Sequence, residues 1–338
     1  MESTSAATWQ QADSFDDQAN VILSTDLLTA IYISIGCLGL TGNLLVSVII
    51  SQSKQMRKHR ANIFILNQSV LDGSVAVFLI LTSVYEDDGT LQPKTVAYEL
   101  LCRLWRTKMP LWGLLVSSSY NLVVLTVERY LSIVYPIWHK VNFTLPKVKL
   151  TIVLTWIIGL IYNIAYMTPT ATVQRNGRCT VYSVWPDLTT QRAVGVLTIA
   201  VQFVIPLVAL SVCYGRMAKA ITQRINPTET RSSKISRARK NVIKTLFVVS
   251  VCFVFCWIWN QTFYLMFNLG ASSDFTSSFY HFTVIMVFCN CCINPFIYVV
   301  QYKQFQNSLI EVFCKNKIQP MEATTERTNN EPNASSRY

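Results

Sequence analysis

Charge is what this chain has least of. Charged residues fill only 14% of its 338 positions, against about 25% in soluble proteins, too few to cover a folded core in water. Histidine is scarcer still, and His59, His139 and His281 form no metal-spaced pair. The first 26 residues carry no Lys or Arg and no apolar stretch. No cleaved signal peptide is therefore visible, and the first apolar run must act as its own insertion signal. Period-two alternation is missing, which excludes a transmembrane β-barrel. No segment repeats another in the same or the inverted sense, which argues against a transporter built from inverted repeats. What is abundant is apolar: 51% of residues are hydrophobic and mean hydropathy is +0.33. The chain is read as an integral membrane protein.

Seven stretches reach the roughly 20 apolar residues that a spanning helix needs: 27–50, 63–84, 110–134, 150–170, 193–214, 242–267 and 277–300. The fold class is an all-α membrane protein, a seven-transmembrane helix bundle. With the N-terminus outside, 22 of the 29 Lys and Arg fall inside and seven outside. Acids run the other way, six inside and 11 outside, with Asp72 within a span. This positive-inside pattern sets the orientation. The net charge of +11 therefore does not indicate nucleic-acid binding; its cations face cytoplasmic lipid head groups and cytoplasmic partners. The expected divisions are an extracellular, disordered segment 1–26, the seven-span domain 27–300, an amphipathic stretch 301–315 and a disordered tail 316–338.

Seven of the ten cysteines lie in spans. Only Cys102 and Cys179 face outside, where disulfides persist, and a bridge would staple the third span to the second outer loop. Cys314, just past the last span, is either a palmitoylation site or an idle thiol.

Polar residues inside spans are functional candidates. Asp72 has polar candidates for company in Asn43, Ser118, Asn290 and Asn294. Such a cage could hold a small cation such as Na⁺, or be only a hydrogen-bond network. Glu128–Arg129–Tyr130 closes the third span with a charged pair, and Asn294–Pro295–Phe–Ile–Tyr298 ends the seventh. Pro295 removes a backbone hydrogen bond, and Asn294 is placed to satisfy the freed groups.

These motifs fall in one order: Gly42–Asn43, Asn67…Asp72, Cys102, Glu128–Arg129–Tyr130 with Pro136, Trp156, Cys179, Pro206 and Tyr214, Phe253–x–x–Cys256–Trp257, and Asn294–Pro295–x–x–Tyr298. In that order the chain resembles a rhodopsin-like (class A) G protein-coupled receptor over 27–315. The resemblance implies a short amphipathic eighth helix from Tyr302, a G-protein switch at Glu128, Arg129, Tyr130, Ile137, Tyr214, Asn294, Pro295 and Tyr298, and an allosteric Na⁺ at Asp72, Ser118, Asn290 and Asn294. No other cofactor is expected. It also implies a plasma-membrane location, heterotrimeric G protein as partner, and arrestin and receptor-kinase regulation through the Ser/Thr-rich tail 324–336.

Three departures from the family pattern stand out. Trp259 replaces the usual proline of the sixth span. Arg239 stands near the base of that span, where some members keep an acid. Arg129 lies 27 residues after Cys102, about two more than usual, so the top of the third span is extended or shifted.

The position where amine receptors carry an aspartate is Leu111, and the Schiff-base lysine of opsins is replaced by Phe288. The remaining ligand candidates are Trp112, Leu115, Thr198, Gln202, Trp257, Asn260, Gln261, Tyr264, Tyr280 and Val284. Acids at 13, 16, 17, 26 and 86–88 form an outer field suited to a cationic ligand. The preferred reading is a basic or amidated peptide, with the receptor nearest to neuropeptide receptors of the galanin, allatostatin and somatostatin kind. The alternatives are a small non-peptide ligand, such as a lipid, and then a transporter or channel. An enzyme is not expected: an intramembrane aspartyl protease needs two intramembrane aspartates, and only Asp72 is present.

Overall fold

The computed structural model describes residues 24–85, 95–174, 179–181, 185–223, 230–271 and 274–314. Seven helices in it are long and apolar enough to cross a membrane. They are α1 (Thr25–Gln52), α2 (Arg60–Val84), α3 (Met109–Val134), α4 (Leu145–Met167), α5 (starting as Leu188–Ile199), α6 (Thr230–Asn268) and α7 (Ser278–Gln301). α5 continues through a π-helical turn, Ala200–Val204, into Ile205–Gln223. α8 (Lys303–Cys314) follows α7 after a break at Tyr302. α1, α5 and α7 are capped by Ser24, Asp187 and Ser277, whose side chains accept the backbone N–H of Leu27, Thr190 and Tyr280. Such caps satisfy donors that a helix start leaves unpaired. α3 and α4 each carry proline in the first turn, where no N–H is needed.

α3 is the central helix, with most of its residues buried, whereas α4 buries only Val148, Thr155, Gly159, Asn163, Tyr166 and Met167. Lipid is as apolar as leucine, so spans associate through close packing and interhelical hydrogen bonds. α3 and α4 meet at Gly113 and Gly159; a Cβ on Gly159 would collide with Ser117 Oγ and the Gly113 carbonyl, and lie 2.6 Å from Ser117 N. Leu111, Leu115, Leu125, Phe253, Trp257 and Phe288 form the apolar centre.

The third span begins differently from its neighbours. A short helix, Val96–Leu100, passes into a π-helical turn, Leu101–Arg106, and Lys108 adopts φ 54° before α3 begins. The turn and the left-handed residue absorb the surplus between Cys102 and Arg129. Cys102 in that turn is bonded to Cys179. The latter lies in β2 (Cys179–Thr180), which pairs antiparallel with β1 (Thr172–Val173) in the register Val173↔Cys179.

Candidate functional site

Two cavities open around Trp112 at the end of the bundle where α1 begins. The narrower, about 20 Å³, is lined by Trp112, Thr198, Gln202, Asn260, Gln261 and Tyr264, with Tyr166 and Met167. The wider, about 350 Å³, is lined by Trp112, Tyr280 and Val284 together with Tyr32, Lys108, His281 and Phe288. The structure thus brings together eight of the ten expected ligand residues. Leu115 and Trp257 line neither cavity. Leu115 is buried in the apolar core, and Trp257 is fully buried beside Phe253, ring centroids 5.7 Å apart. The reason is local: Trp112 packs edge-on to Tyr264 at 6.4 Å and against Phe288 at 6.1 Å, closing the floor above them.

In the narrower cavity Gln261 donates its amide to Gln202 Oε1 at 3.1 Å. Its own Oε1 has no partner among the described residues. Buried polar atoms of this kind cost stability unless something pairs with them, so this slot is suited to a polar ligand group.

Tyr32, Lys108 and His281 were not singled out by the sequence. Lys108 is the one non-glycine residue at positive φ among the described residues, a backbone state costing about 1–2 kcal/mol for an L-residue. Its N–H bonds to the Trp105 carbonyl at 2.8 Å, and its carbonyl accepts Trp112 N at 3.1 Å. Its ammonium stands 5.9 Å over the Tyr32 ring, and the Tyr32 hydroxyl is 3.1 Å from His281 Nδ1. The two surplus residues ahead of Arg129 were the only sequence signal for this turn. Of the outer acids, those at 13, 16, 17 and 86–88 lie outside the described residues; Asp26 sits in the first turn of α1.

Asp72 is fully buried in mid-membrane. Ser118 donates to its Oδ1 at 2.6 Å, Asn294 to its Oδ2 at 2.9 Å, and Gln68 Nε2 lies 3.2 Å from both oxygens. Neither Asn43 nor Asn290 supplies a hydrogen bond to the carboxylate. The orientation of Gln68 is dictated from a distance. Trp156 Nε1, a donor only, bonds Asn67 Oδ1 at 3.0 Å. Asn67 Nδ2 must then face Asn121 Oδ1 (2.8 Å), and Asn121 Nδ2 faces both the Phe64 carbonyl (3.0 Å) and Gln68 Oε1 (2.7 Å). Gln68 is left with its NH₂ to offer Asp72, astride the position from which a cation would engage both carboxylate oxygens. A sodium site needs oxygen ligands there, so the residues present do not fit Na⁺.

Asn294 does not satisfy the carbonyl freed by Pro295, because it is committed to Asp72. That carbonyl belongs to Cys291, four residues earlier, and it accepts Asn43 Nδ2 at 2.9 Å. α1 therefore repairs the break in α7. α6 runs without a break in its helix past Trp259, which faces outward against Phe255 and Phe282.

At the opposite end of the bundle, Glu128 is buried and Arg129 nearly so. Arg129 Nε lies 3.4 Å from Glu128 Oε2, while Glu128 Oε1 is 3.0 Å from His139 Nε2. His139, set aside in the sequence as a poor metal ligand, sits on the short helix Pro136–Asn142 and stacks on Phe143 at 5.1 Å. Ile137 on the same helix is 82% exposed. Tyr130 accepts from Arg216 at 3.2 Å, and the Tyr214 hydroxyl is 3.0 Å from Ser250 Oγ and 3.4 Å from Thr126 Oγ1. Tyr298 is buried beside a cavity of about 10 Å³ that Arg129 also lines. A larger cleft, about 920 Å³, separates α5 from α6. Its walls, among them Leu210, Phe247, Val251 and Val254, are apolar and partly exposed, which matches lipid rather than a polar ligand. α8 carries Cys314 as its last residue; that side chain, those of Arg231 to Lys240 including Arg239, and the tail from 315 lie outside the described residues.

A cavity at one end of seven membrane helices, a paired arginine at the other and a buried polar network around Asp72 are the marks of a transmembrane receptor. The pattern of the family described as "7 transmembrane receptor (rhodopsin family)" matches residues 42–298, and the chain belongs to that family. Among curated relatives, the galanin receptor 2b of Danio rerio is 25% identical over 311 residues, covering 90% of this chain and 78% of its own. The somatostatin receptor type 2 of Mus musculus is 27% identical, covering 87% and 79%. The neuropeptide S receptor of Macaca mulatta is also 27% identical, covering 75% and 71%.

Proposed function

We propose that the chain is a plasma-membrane receptor for an extracellular peptide and promotes nucleotide exchange on a heterotrimeric G protein. The N-terminus is outside, by the distribution of Lys and Arg. Its relatives are, by name, receptors for galanin, somatostatin and neuropeptide S. The observation that carries the reading is the stacked pair of cavities, rich in aromatic rings and amide groups, directly above buried Trp257. Aromatic walls with a few convergent polar groups suit a peptide side chain and backbone.

Binding favours one of two helix arrangements, and the cytoplasmic end reads the difference. A ligand pressing on Trp112, Tyr264 and Gln261 acts on α3 and α6 together, and Trp257 lies one turn from Gln261. At the far end the same two helices carry Arg129 and Ser250. No step is assigned to sodium. The tail 324–336 is the site at which kinases and arrestin would act, and Cys314 the one at which an acyl chain would tether α8 to the inner leaflet.

The test is a library of synthetic neuropeptides applied to cells expressing the chain, with cAMP and calcium as readouts. The expected result is a saturable response to a peptide that Gln261→Leu weakens without loss of surface expression. Silence across peptides together with a response to a lipid or amine would overturn the reading.

A further inference from the structure

The wider cavity has a charge character opposite to the acidic field that the sequence places around it. Lys108 lines the cavity with its ammonium over the Tyr32 ring and Arg106 lines the same wall, while His281 faces them from α7 as a neutral ring. No carboxylate among the described residues lines it. Of the described acids at this end only Asp274 acts on a cavity residue, His281, and none lines the cavity itself. Glu99 pairs with Arg103 at 3.1 Å, Asp187 accepts from Thr190, and Asp274 accepts the Thr276 N–H and hydroxyl at 2.7 and 2.6 Å. Asp26 stands in the first turn of α1 and does not line the cavity.

The backbone is arranged to put Lys108 there. A helix continuing straight from the π-helical turn would need no left-handed residue, yet Lys108 occupies one where glycine would be favoured. Unusual backbone states of this kind gather at ligand clamps. The ammonium rests over Tyr32 with no ion-pair partner among the described residues, and the walls around it are aromatic: Tyr32, Trp112, Tyr280 and Phe288. A part-buried cation in an aromatic cavity is a preformed seat for an anion flanked by apolar surface.

We propose that this cavity binds a carboxylate of the activating peptide, with Lys108 as its counter-ion and an adjoining aromatic or aliphatic side chain packed on Trp112 and Phe288. The proposal rests on the peptide reading and narrows it: the group that enters is acidic, whatever charge the rest of the peptide carries. The source is a free C-terminus or an acidic side chain.

The first experiment needs no known agonist. Purified full-length receptor in nanodiscs is unfolded thermally with about 10 mM N-acetyl-phenylalanine or its uncharged amide, where binding to the folded state alone raises the midpoint. The acid is expected to raise it by roughly 1–3 °C and the amide not at all. Lys108→Met should abolish the rise and Lys108→Arg should keep it. Lys108→Gly, which suits the left-handed backbone, should abolish the rise while folding at least as well as wild type. Equal shifts for acid and amide, or a shift that survives Lys108→Met and Lys108→Gly, overturn the proposal.

The second experiment screens each peptide as free acid and as amide. A peptide whose potency falls at least about 30-fold on loss of the Lys108 charge supports the site. Loss on amidation assigns the carboxylate to the C-terminus, and loss on Asp→Asn or Glu→Gln exchange assigns it to a side chain. Peptides that activate equally in every form and ignore Lys108→Met overturn the site but leave the peptide reading standing. If no peptide activates and the acid still stabilises through Lys108, the peptide reading falls and the anion site stands.

Discussion

Two glycines in membrane helices give a test in which one chemical change has opposite outcomes. At Gly159 an added Cβ meets Ser117 Oγ and the Gly113 carbonyl in overlap, and Ser117 N at 2.6 Å. Ordinary contacts of that kind begin at 3.4 Å, so α3 and α4 must part by nearly an ångström. Two of the three obstructing atoms are backbone, which cannot swing aside as the end of a side chain can. Overpacking costs typically about 1–3 kcal/mol, and immovable obstacles place this case near the upper figure. Alanine regains about 1 kcal/mol of helix preference over glycine, leaving a net loss of about 2 kcal/mol. At Gly215 on α5 nothing lies within 4 Å of the added methyl, so only the gain of about 1 kcal/mol remains. The two variants therefore differ by about 3 kcal/mol, or roughly 5 °C in midpoint for a domain of this size. The assay is thermal unfolding in nanodiscs at one fixed scan rate, followed by tryptophan fluorescence. A Gly159→Ala protein as stable as Gly215→Ala would refute the close approach of α3 and α4.

Three further outcomes follow from other parts of the molecule. The Cys102–Cys179 bond closes a loop spanning 77 residues, worth up to about 4.5 kcal/mol by the chain-entropy argument; Cys102→Ser should sharply lower surface expression, with Cys179→Ser added to it making matters no worse. Because Gln68 presents its NH₂ to Asp72, agonist potency should not change when sodium is replaced by N-methylglucamine, whereas Gln68→Leu should create a sodium dependence that Asp72→Asn removes; a sodium effect on the unmodified chain would contradict the assigned amide orientation. Hydrogen bonds from Thr190 hold the Asp187 carboxyl below the usual carboxylate range. Its contribution is complete above the unfolded value of about 3.9 and is lost as pH falls through the lower folded value, so the start of α5 should loosen only in strong acid, and Asp187→Ala should flatten that acid limb of the unfolding midpoint.

The seven spans were legible because each is a long apolar run, but their ends were not. α6 begins at Thr230 rather than at 242 because residues of high helix propensity, Lys and Arg among them, extend a helix beyond the greasy part that hydropathy detects. The π-helical turns at Leu101–Arg106 and Ala200–Val204 leave no hydropathy trace; the first showed only as surplus length before Arg129. Helical spacing picked out residues that line a cavity because Gln261 and Tyr264 recur on one face of α6. The same spacing also picked Leu115, which the structure places in the core beneath the Trp112 ring rather than on a cavity wall. Gln68 stood unremarked between Asn67 and Asp72, since a glutamine's role there depends on which end of its amide faces the carboxylate. That choice is made by Trp156, 88 positions away in the sequence.

On the proposed receptor reading, Glu128 is the residue that holds the resting state. Its carboxylate is 3% exposed, touches Arg129 on one oxygen and His139 on the other, and so ties the base of α3 to the short helix that carries Ile137. The cavity beside Arg129 holds only about 10 Å³, too little for a partner's helix, so this arrangement is the closed one. α6 carries no proline, and the Tyr214–Ser250 contact ties it to α5. Replacing Glu128 by Gln keeps the shape and removes the charge. The Arg129–Glu128 contact at 3.4 Å is an ion pair without hydrogen-bond geometry, and loss of such a pair is worth about 1 kcal/mol, or roughly fivefold in the closed-to-open ratio. Ligand-free nucleotide exchange on G protein should rise by that order in Glu128→Gln, and His139→Ala should give a smaller rise, since it removes one contact and leaves the arginine paired. If Glu128→Gln reached the membrane at normal levels with unchanged basal exchange, the Arg129 pairing would not be what holds the receptor shut.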